Sequence, residues 1–300
     1  MRKWIALFLL MLSCAHAEEI SPTTGRMIAG APAAPVIVSV SNGRETPWGV
    51  EQTDIVYESL LYQKGQTRFA FLFHDALVNG EKVEAGPVRS PREVHAVLMK
   101  EWHAGLIANG SWRGNRAVAP GLEGNDGWFL NTYQGRGREC SGRVQGRKAP
   151  DNMNVDVTAV HRVLPDQAFL AEGFSFGRMA AALHPVERIH LDWGNAVSDF
   201  FYIDGAYRRE GWEGAFANVI VQMTAYDYID GRPHCPVIPE QGEGEAVIFS
   251  AGHVQKARWQ KDSASGKTFF LDENEQEITI CIGRTFIAHL PVESGVFCYQ

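Results

Sequence analysis

The segment Thr67-Arg68-Phe69-Ala70-Phe71-Leu72-Phe73-His74 constrains the fold more than any other stretch of the chain. Its pattern has a period of two, so it reads as a β-strand. Odd positions put Phe69, Phe71 and Phe73 on one face, which must be a core face. Even positions put Arg68, Ala70, Leu72 and His74 on the other. Pro35-Val36-Ile37-Val38-Ser39-Val40 is a short apolar run typical of a buried strand, and Asp54-Ile55-Val56-Tyr57-Glu58 alternates again. Ser90-Pro91-Arg92-Glu93 reads as a helix start, with Ser90 as N-cap, Pro91 at the first helical position and Glu93 completing a capping box. The helix is predicted to run to about Trp102, with Val94, Val97 and Leu98 facing inward.

Residues 155–184 read as helical, with an interruption at Gly173. From His190 onward the pattern changes to strands and turns. Ile189-His190-Leu191, Phe200 to Ile203, Asn218 to Gln222, Ala246 to Phe249, Thr268 to Leu271 and Thr285 to Ala288 are strand-like, punctuated by Asp204-Gly205, Asp230-Gly231 and Ala251-Gly252. The expected fold class is α+β: a mixed N-terminal domain over 35–184, then a mainly antiparallel β domain over 185–300. The stretch from Asn109 to Pro150 is rich in Gly, Asn and Arg. It is too long for a structureless loop, so short elements and a functional surface are expected there.

The N-terminus specifies a compartment. Arg2 and Lys3 precede a short apolar run from Trp4 to Ser13, and Ala15-His16-Ala17 is a small-x-small cleavage site. Residues 1–17 are expected to be a signal peptide, with Glu18 as the mature N-terminus and an exported, periplasmic or extracytoplasmic envelope location. A competing reading makes Met11-Leu12-Ser13-Cys14 a lipobox, with a lipid anchor at Cys14. That anchor would be the chain's one contact with a membrane. Residues 18–34 lack periodicity and are expected to be a mobile leader.

The formal net charge is −7, and removing residues 1–17 takes away Arg2 and Lys3 and no acidic residue. Such a surface does not suit nucleic acid. Of the five cysteines, Cys140, Cys235, Cys281 and Cys298 would remain after cleavage. In an oxidising compartment they suggest up to two disulfides, with all three connectivities open and Cys281 and Cys298 nearest in sequence.

An ordered set of motifs resembles the YerB-like family of bacterial putative lipoproteins, whose role is uncharacterised. It comprises Thr53-Asp54-Ile55-Val56-Tyr57-Glu58, Gly65-Gln66-Thr67-Arg68-Phe69, Gly86-Pro87-Val88-Arg89-Ser90-Pro91-Arg92, Asn218-Val219-Ile220-Val221-Gln222, Asp230-Gly231-Arg232 and Trp259-Gln260-Lys261. The resemblance covers roughly residues 35–290 and implies two fused domains and export, often with a lipid anchor. It implies no reaction. Two positions depart from the family pattern. Ala108-Asn109-Gly110-Ser111 stands where His-x-Gly-Gly-Ser is common, and Asp151 stands where a histidine is usual.

One constellation carries candidate chemistry. Arg68, Arg89 and Arg92 gather around a helix start, where guanidinium forks, N–H groups and the helix dipole favour an anion. Asn109 joins them as a candidate ligand contact. Asp54 and Glu58 lie four apart on one side of their strand and would bind a metal or act as a base. The alternative is a buried ion-pair network that fixes geometry without chemistry. Residues 113–148 hold seven basic and three acidic side chains, and with Trp112, Trp128 and Tyr133 they read either as a glycan-stacking surface or as a solvated loop with its aromatics turned inward. Gly173-Phe174-Ser175-Phe176-Gly177 matches G-x-S-x-G but lacks the preceding strand that a nucleophile elbow needs. There is no P-loop, G-x-G-x-x-G or H-E-x-x-H, so no cofactor and no resident metal are expected. The expected function is binding of an anionic small molecule, an envelope glycan or another envelope protein. The alternative is an enzyme acting on a phosphate-bearing or glycan substrate.

Overall fold

The structure is a computed structural model that describes residues 19–43, 46–63, 65–110, 122, 125, 127–177, 184–231, 236–262 and 266–300. The N-terminal segment 1–17, Trp112, Arg113, Arg116 and Cys235 lie outside the described residues.

The strands are β1 (Val36–Ser41), β2 (Ile55–Leu60), β3 (Thr67–Phe73), β4 (Gly105–Ala108), β5 (Phe129–Asn131), β6 (His184–Pro185), β7 (Arg188–Asp192), β8 (Val197–Ile203), β9 (Ala206–Arg209), β10 (Asn218–Thr224), β11 (Gly242–Ser250), β12 (His253–Lys261), β13 (Thr268–Leu271), β14 (Thr285–Pro291) and β15 (Val296–Tyr299). Shorter pairings accompany them. One mixed sheet runs β6-β12-β11-β10-β14-β2-β3-β1-β4-β5, with β13 also paired to β12. A second sheet runs β9-β8-β7-β15. The fold is therefore mainly β around a large mixed sheet. The helices are short: α1 (Asp75–Val78), α2 (Glu93–Glu101), α3 (Gly135–Glu139) and α4 (Val157–Arg162).

The long sheet is buried on both faces near its centre. Phe69, Phe71 and Phe73 join Val56, Phe286, Phe200, Phe216 and Trp193 in one core, between the long sheet and the four-stranded sheet. Phe200 meets Phe286 at 4.8 Å and Phe69 meets Trp212 at 4.9 Å, both edge to face. Such pairs add roughly 0.5–1.5 kcal/mol each beyond the area they bury. On the opposite face, Ile55, Tyr57, Ala70, Leu72 and Ile287 pack beneath Val94, Val97, Leu98 and Trp102 of α2. Trp102 Nε1 donates to the Tyr57 hydroxyl at 2.7 Å, which satisfies both polar groups inside that core.

The two halves of the chain share this sheet. β2 pairs in parallel with β14, Ile55 facing Thr285 and Glu58 facing Ala288. β14 in turn pairs in parallel with β10.

Four expectations change. Of the helix predicted over 155–184, the described residues 155–177 form a helix only in α4; Met153–Asp156 is a strand, the chain from Val163 to Gly177 is largely irregular, and 178–183 lie outside the described residues. The N-cap of α2 is Arg92, not Ser90. Ser90 Oγ instead donates to the Asn109 carbonyl, and Arg89 N–H donates to Ser39 O, so this segment is held beside β1 and the helix starts later. Cys140, Cys281 and Cys298 are free, and Cys281 and Cys298 lie in different sheets, beside Gly177 and His190 respectively.

The fourth change concerns the leader. Ser21, Thr23 and Thr24 are fully buried rather than mobile, and Ala33 bridges Ala168. Asp75 holds this segment. Its carboxylate accepts from Ser21 Oγ (2.5 Å), Thr23 Oγ1 (3.2 Å), Thr24 Oγ1 and His74 Nδ1 (2.9 Å). Hydrogen bonds to a charged acceptor contribute about 1.5–3 kcal/mol each, so Asp75→Ala is expected to free residues 19–28. Limited proteolysis with mass spectrometry should then show early cleavage in that stretch. Cleavage no faster than in wild type would mean that the segment is held by other contacts.

Candidate functional site

The arginine cluster is built by three pieces of chain meeting at the edge of α2. β3 sets Arg68 opposite Ser41 of β1 and Ser59 of β2. On this strand Arg68 alternates with the aromatic core, so it shares a face with Ala70 and Leu72 beneath α2. Segment 86–92 runs along β1 through Ser41 N–H to Pro87 O and Arg89 N–H to Ser39 O, which delivers Arg89 and Arg92 to the same end.

Arg68 is 5 % exposed, and its Nε and Nη1 are buried with no hydrogen-bond partner. Burial pulls the guanidinium pKa down to about 9, and the charges of Arg92 and Arg89 pull the same way. Asp151 and Tyr62 oppose them. Arg89 Nη1 donates to Asp151 Oδ1 at 2.8 Å, with both side chains partly exposed. Arg92 is buried and its Nη1 donates to Pro91 O at 2.8 Å. His95, one turn along α2, accepts from Arg92 N–H through Nδ1 at 3.0 Å. Burial, and then the charge of Arg68, depress its pKa to about 3, so it stays neutral. Asn109 is tied to this segment through its backbone, donating N–H to Arg89 O, but its side chain accepts from Thr132 Oγ1 at 2.7 Å.

The two predicted carboxylates do not join the arginines. Glu58 points to the aromatic face of the sheet, as Val56 and Leu60 do, while Arg68 points to the other. Glu58 is fully buried. It accepts from Asn42 Nδ2 (2.9 Å), Thr67 Oγ1 (2.7 Å) and Ser198 Oγ (2.7 Å), and Arg209 Nε donates to the same Ser198 at 3.0 Å. Burial raises its pKa although Arg209 and the hydrogen bonds oppose this. Glu58 is thus part of a structural lock between the halves. The period-two pattern put Glu58 on the same side of its strand as Val56, but nothing in it said which side the arginines would occupy.

Asp54 lies at the far end of β2, where its Oδ2 accepts the N–H groups of His74 (2.5 Å) and Asp75 (2.9 Å) at the start of α1. Asp54, His74 and Asp75 bring one possible ligand atom each to within 4.8 Å of one another. The chemistry of His74 argues against a metal. Its Nε2 accepts Ala33 N–H at 3.2 Å, so Nδ1 carries the proton donated to Asp75, and no lone pair is left to coordinate. The group is a hydrogen-bonded clasp.

Burial, and then the charge of Asp75, hold the Asp54 pKa well above its usual value. Burial also works to raise Asp75, but His74, Ser21 and Thr24 outweigh it and hold that carboxyl low. A folded-state pKa above the unfolded one means that ionised Asp54 costs stability as pH rises through and beyond the unfolded value. Asp54→Asn keeps an acceptor for both N–H groups and removes the charge. It is therefore expected to gain stability over wild type between about pH 4 and about pH 8, read by urea unfolding at both. A gain that shrinks as pH rises would contradict this assignment.

In the basic stretch 113–148, three of the described arginines have local partners, Arg136 donating to Val163 O at 3.1 Å. Arg143 Nη1 donates to Asn152 Oδ1 at 2.6 Å, and Arg147 stacks 4.7 Å from the centre of the Trp48 ring. Trp128 is half-buried against the core, while Tyr133 is exposed. Ser175 of the G-x-S-x-G match lies in irregular chain with no strand before it, so no nucleophile elbow forms. The sequence reading missed His95 and Asp151 as members of the arginine cluster. The i, i+3 spacing from Arg92 to His95 was the available signal for the first.

This geometry belongs to a recognisable class. The model for the N-terminal domain of proteins of unknown function DUF3048 matches residues 23–170, and that for the C-terminal domain matches residues 204–287. The chain belongs to this YerB-like, two-domain family of unknown function. The crystal structure of the YerB protein from Bacillus subtilis is similar in fold, with a TM-score of 0.75 at 19 % identity over 94 % of this chain and 100 % of that one. A search of curated proteins found no match.

Proposed function

We propose that this protein is an exported envelope protein that binds an anionic ligand at Arg68, Arg89 and Arg92. The single observation that carries this reading is Arg68: a buried guanidinium with two unpartnered nitrogens, next to two further arginines. An uncompensated buried charge costs several kcal/mol, and an anion supplies both the missing charge and the missing acceptors. Export rests on Arg2, Lys3, the apolar run and Ala15-His16-Ala17. No helix among the described residues is long and apolar enough to cross a membrane. The enzyme alternative has no observation in its favour, because Asp54 and Glu58 are engaged elsewhere.

A thermal-shift series tests the reading. Sodium phosphate, sulfate and acetate are compared with chloride at equal ionic strength, on wild type, Arg89→Ala and Arg68→Met. Sulfate and phosphate stabilise most proteins by exclusion from the surface, so the variants are the control. The site predicts an excess rise in wild type that both variants lose. No excess rise with any anion, or a rise that survives Arg68→Met, removes it.

A further inference from the structure

The outer face of the second sheet carries a row of reactive side chains far from the arginine cluster in the fold. β8, β7 and β15 are neighbours in that sheet, and β15 is its edge strand. Pairing sets His190 of β7 directly opposite Cys298 on β15 and directly opposite Asp199 on β8. All three point away from the core. Their strand neighbours Ile189, Leu191, Ser198 and Phe200 are buried. Phe297 packs against the core and Tyr299 meets the Phe249 ring at 5.3 Å, so Cys298 between them faces outward. Side chains directly opposite on one face of an antiparallel pair have Cβ atoms about 4.5–5.5 Å apart. A thiol, an imidazole and a carboxylate therefore stand side by side on adjacent strands.

Their order is that of a nucleophile, its base and the group that orients the base. His190 Nδ1 and Arg188 Nη2 each lie 3.0 Å from Asp199 Oδ1. Burial works to raise the Asp199 carboxyl, but the hydrogen bonds from His190 and then Arg188 outweigh it and hold it below its usual range. An ionised carboxylate can only accept, so Nδ1 carries the ring proton and Nε2 keeps the lone pair. That is the tautomer a general base needs. Cys298 is a free, exposed thiol, and with Arg188, His190, Tyr299 and Gln300 it lines one cavity of about 160 Å³. The other described thiols lack such a setting: Cys140 is buried, and Cys281 lies opposite Gly177, which offers no base.

We infer that Cys298 is a nucleophilic thiol that forms mixed disulfides with low-molecular-weight disulfides, with His190 as its proton acceptor and Asp199 as the residue that positions the imidazole. The Cys298 Sγ–H proton passes to His190 Nε2, and the thiolate attacks one sulfur of the incoming disulfide. A new S–S bond forms as the old one breaks. Cys298 is oxidised, the departing sulfur is reduced, and that sulfur takes the proton from the imidazolium. The incoming disulfide is the only oxidant the step needs, and Arg188 faces the cavity in which the negative charge develops. The charged groups around His190 are Arg188 and Asp192 on β7, Asp199 on β8, Arg208 on β9, and Glu210, whose N–H donates to Asp199 O.

An isolated thiol reacts as its thiolate, and that fraction falls about tenfold for each pH unit below about 8.5. A base held against the thiol keeps the rate up at lower pH. The reduced full chain is mixed with 2-hydroxyethyl disulfide between about pH 6 and about pH 9 and quenched with acid. Peptide mass spectrometry then follows the mixed disulfide at Cys298 and, as a reference in the same molecule, at Cys281. The ratio of the two rates is expected to rise about tenfold or more from the highest pH to the lowest, whereas a difference in exposure alone gives a constant ratio. His190→Ala is expected to remove that rise, and Asp199→Asn to move the pH profile of Cys298 part of the way toward it. A ratio that stays constant with pH in the wild-type chain, a Cys298 profile that His190→Ala leaves unchanged, or no mixed disulfide at Cys298 overturns the assignment.

Discussion

Replacing Arg68 with methionine is expected to make the unliganded protein more stable. In most buried positions the loss of an arginine destabilises, because partners are left unpaired. Here the guanidinium itself lacks them: Nε and Nη1 are buried without acceptors, and its charged neighbours include two arginines. Methionine fills the same channel of space and carries no charge. An unsatisfied buried polar group costs about 1–3 kcal/mol, so a gain of that size is expected at pH 7.

The sign with pH follows from the depressed pKa. Below about 9 the folded protein holds a proton it binds poorly, and the penalty is fully present. As pH rises through 9 the penalty in wild type lifts and the advantage of the variant shrinks. Arg209→Met provides the contrast. Arg209 is also buried, but it donates to Ser198 and faces Glu58, so the same substitution should destabilise. Chemical unfolding of both variants at pH 7 without phosphate or sulfate checks the pair. A loss of more than about 1 kcal/mol in Arg68→Met would mean that the guanidinium is satisfied in solution, and the ligand argument would lose its footing.

Glu58→Ala is expected to show the largest loss of stability of any substitution considered. The substitution leaves the buried hydroxyls of Thr67 and Ser198 without their acceptor, removes one of two acceptors from half-buried Asn42, and takes the counter-charge from Arg209. Breaking a buried ionic network from one side costs about 3–5 kcal/mol. Glu58→Gln retains the shape and one acceptor oxygen, so its cost should be clearly smaller. The midpoint of urea unfolding should fall for both with little change in slope. An Ala variant no less stable than the Gln variant would show that the network adds nothing beyond filled volume.

These two residues also show what the sequence could and could not reveal. The alternation over Thr67–His74 and over Asp54–Glu58 gave the central strands and the faces within each strand. The strand-like segments after His190 correspond to β7, β8, β10, β11, β13 and β14. β12 escaped notice because His253, Gln255, Lys256, Arg258 and Gln260 make it look solvated, although it is paired on both sides. The helix expected over 155–184 failed because apolar residues such as Val155, Val157 and Val160 serve a strand and one short turn of helix alike. The arginine cluster was legible because Arg68, Arg89 and Arg92 sit in recognisable motifs. Its separation from Asp54 and Glu58 was not, because a strand's period does not say which face a neighbouring strand's side chains share. That register is set by pairing across the sheet.

The pairing of β2 with β14 also sets the order in which the chain can be completed. Ser59 of β2 and His289 of β14 are hydrogen-bonded at 2.7 Å across 230 residues of sequence. Until β14 has been made, β2 has a partner on one side only, and an apolar strand with an open edge invites pairing with other chains. Contacts this far apart in sequence also slow folding, because the intervening chain must be ordered first. The native state is therefore out of reach until nearly the whole polypeptide is present. A chain with this topology completes its central sheet only once its last long strand is available to pair.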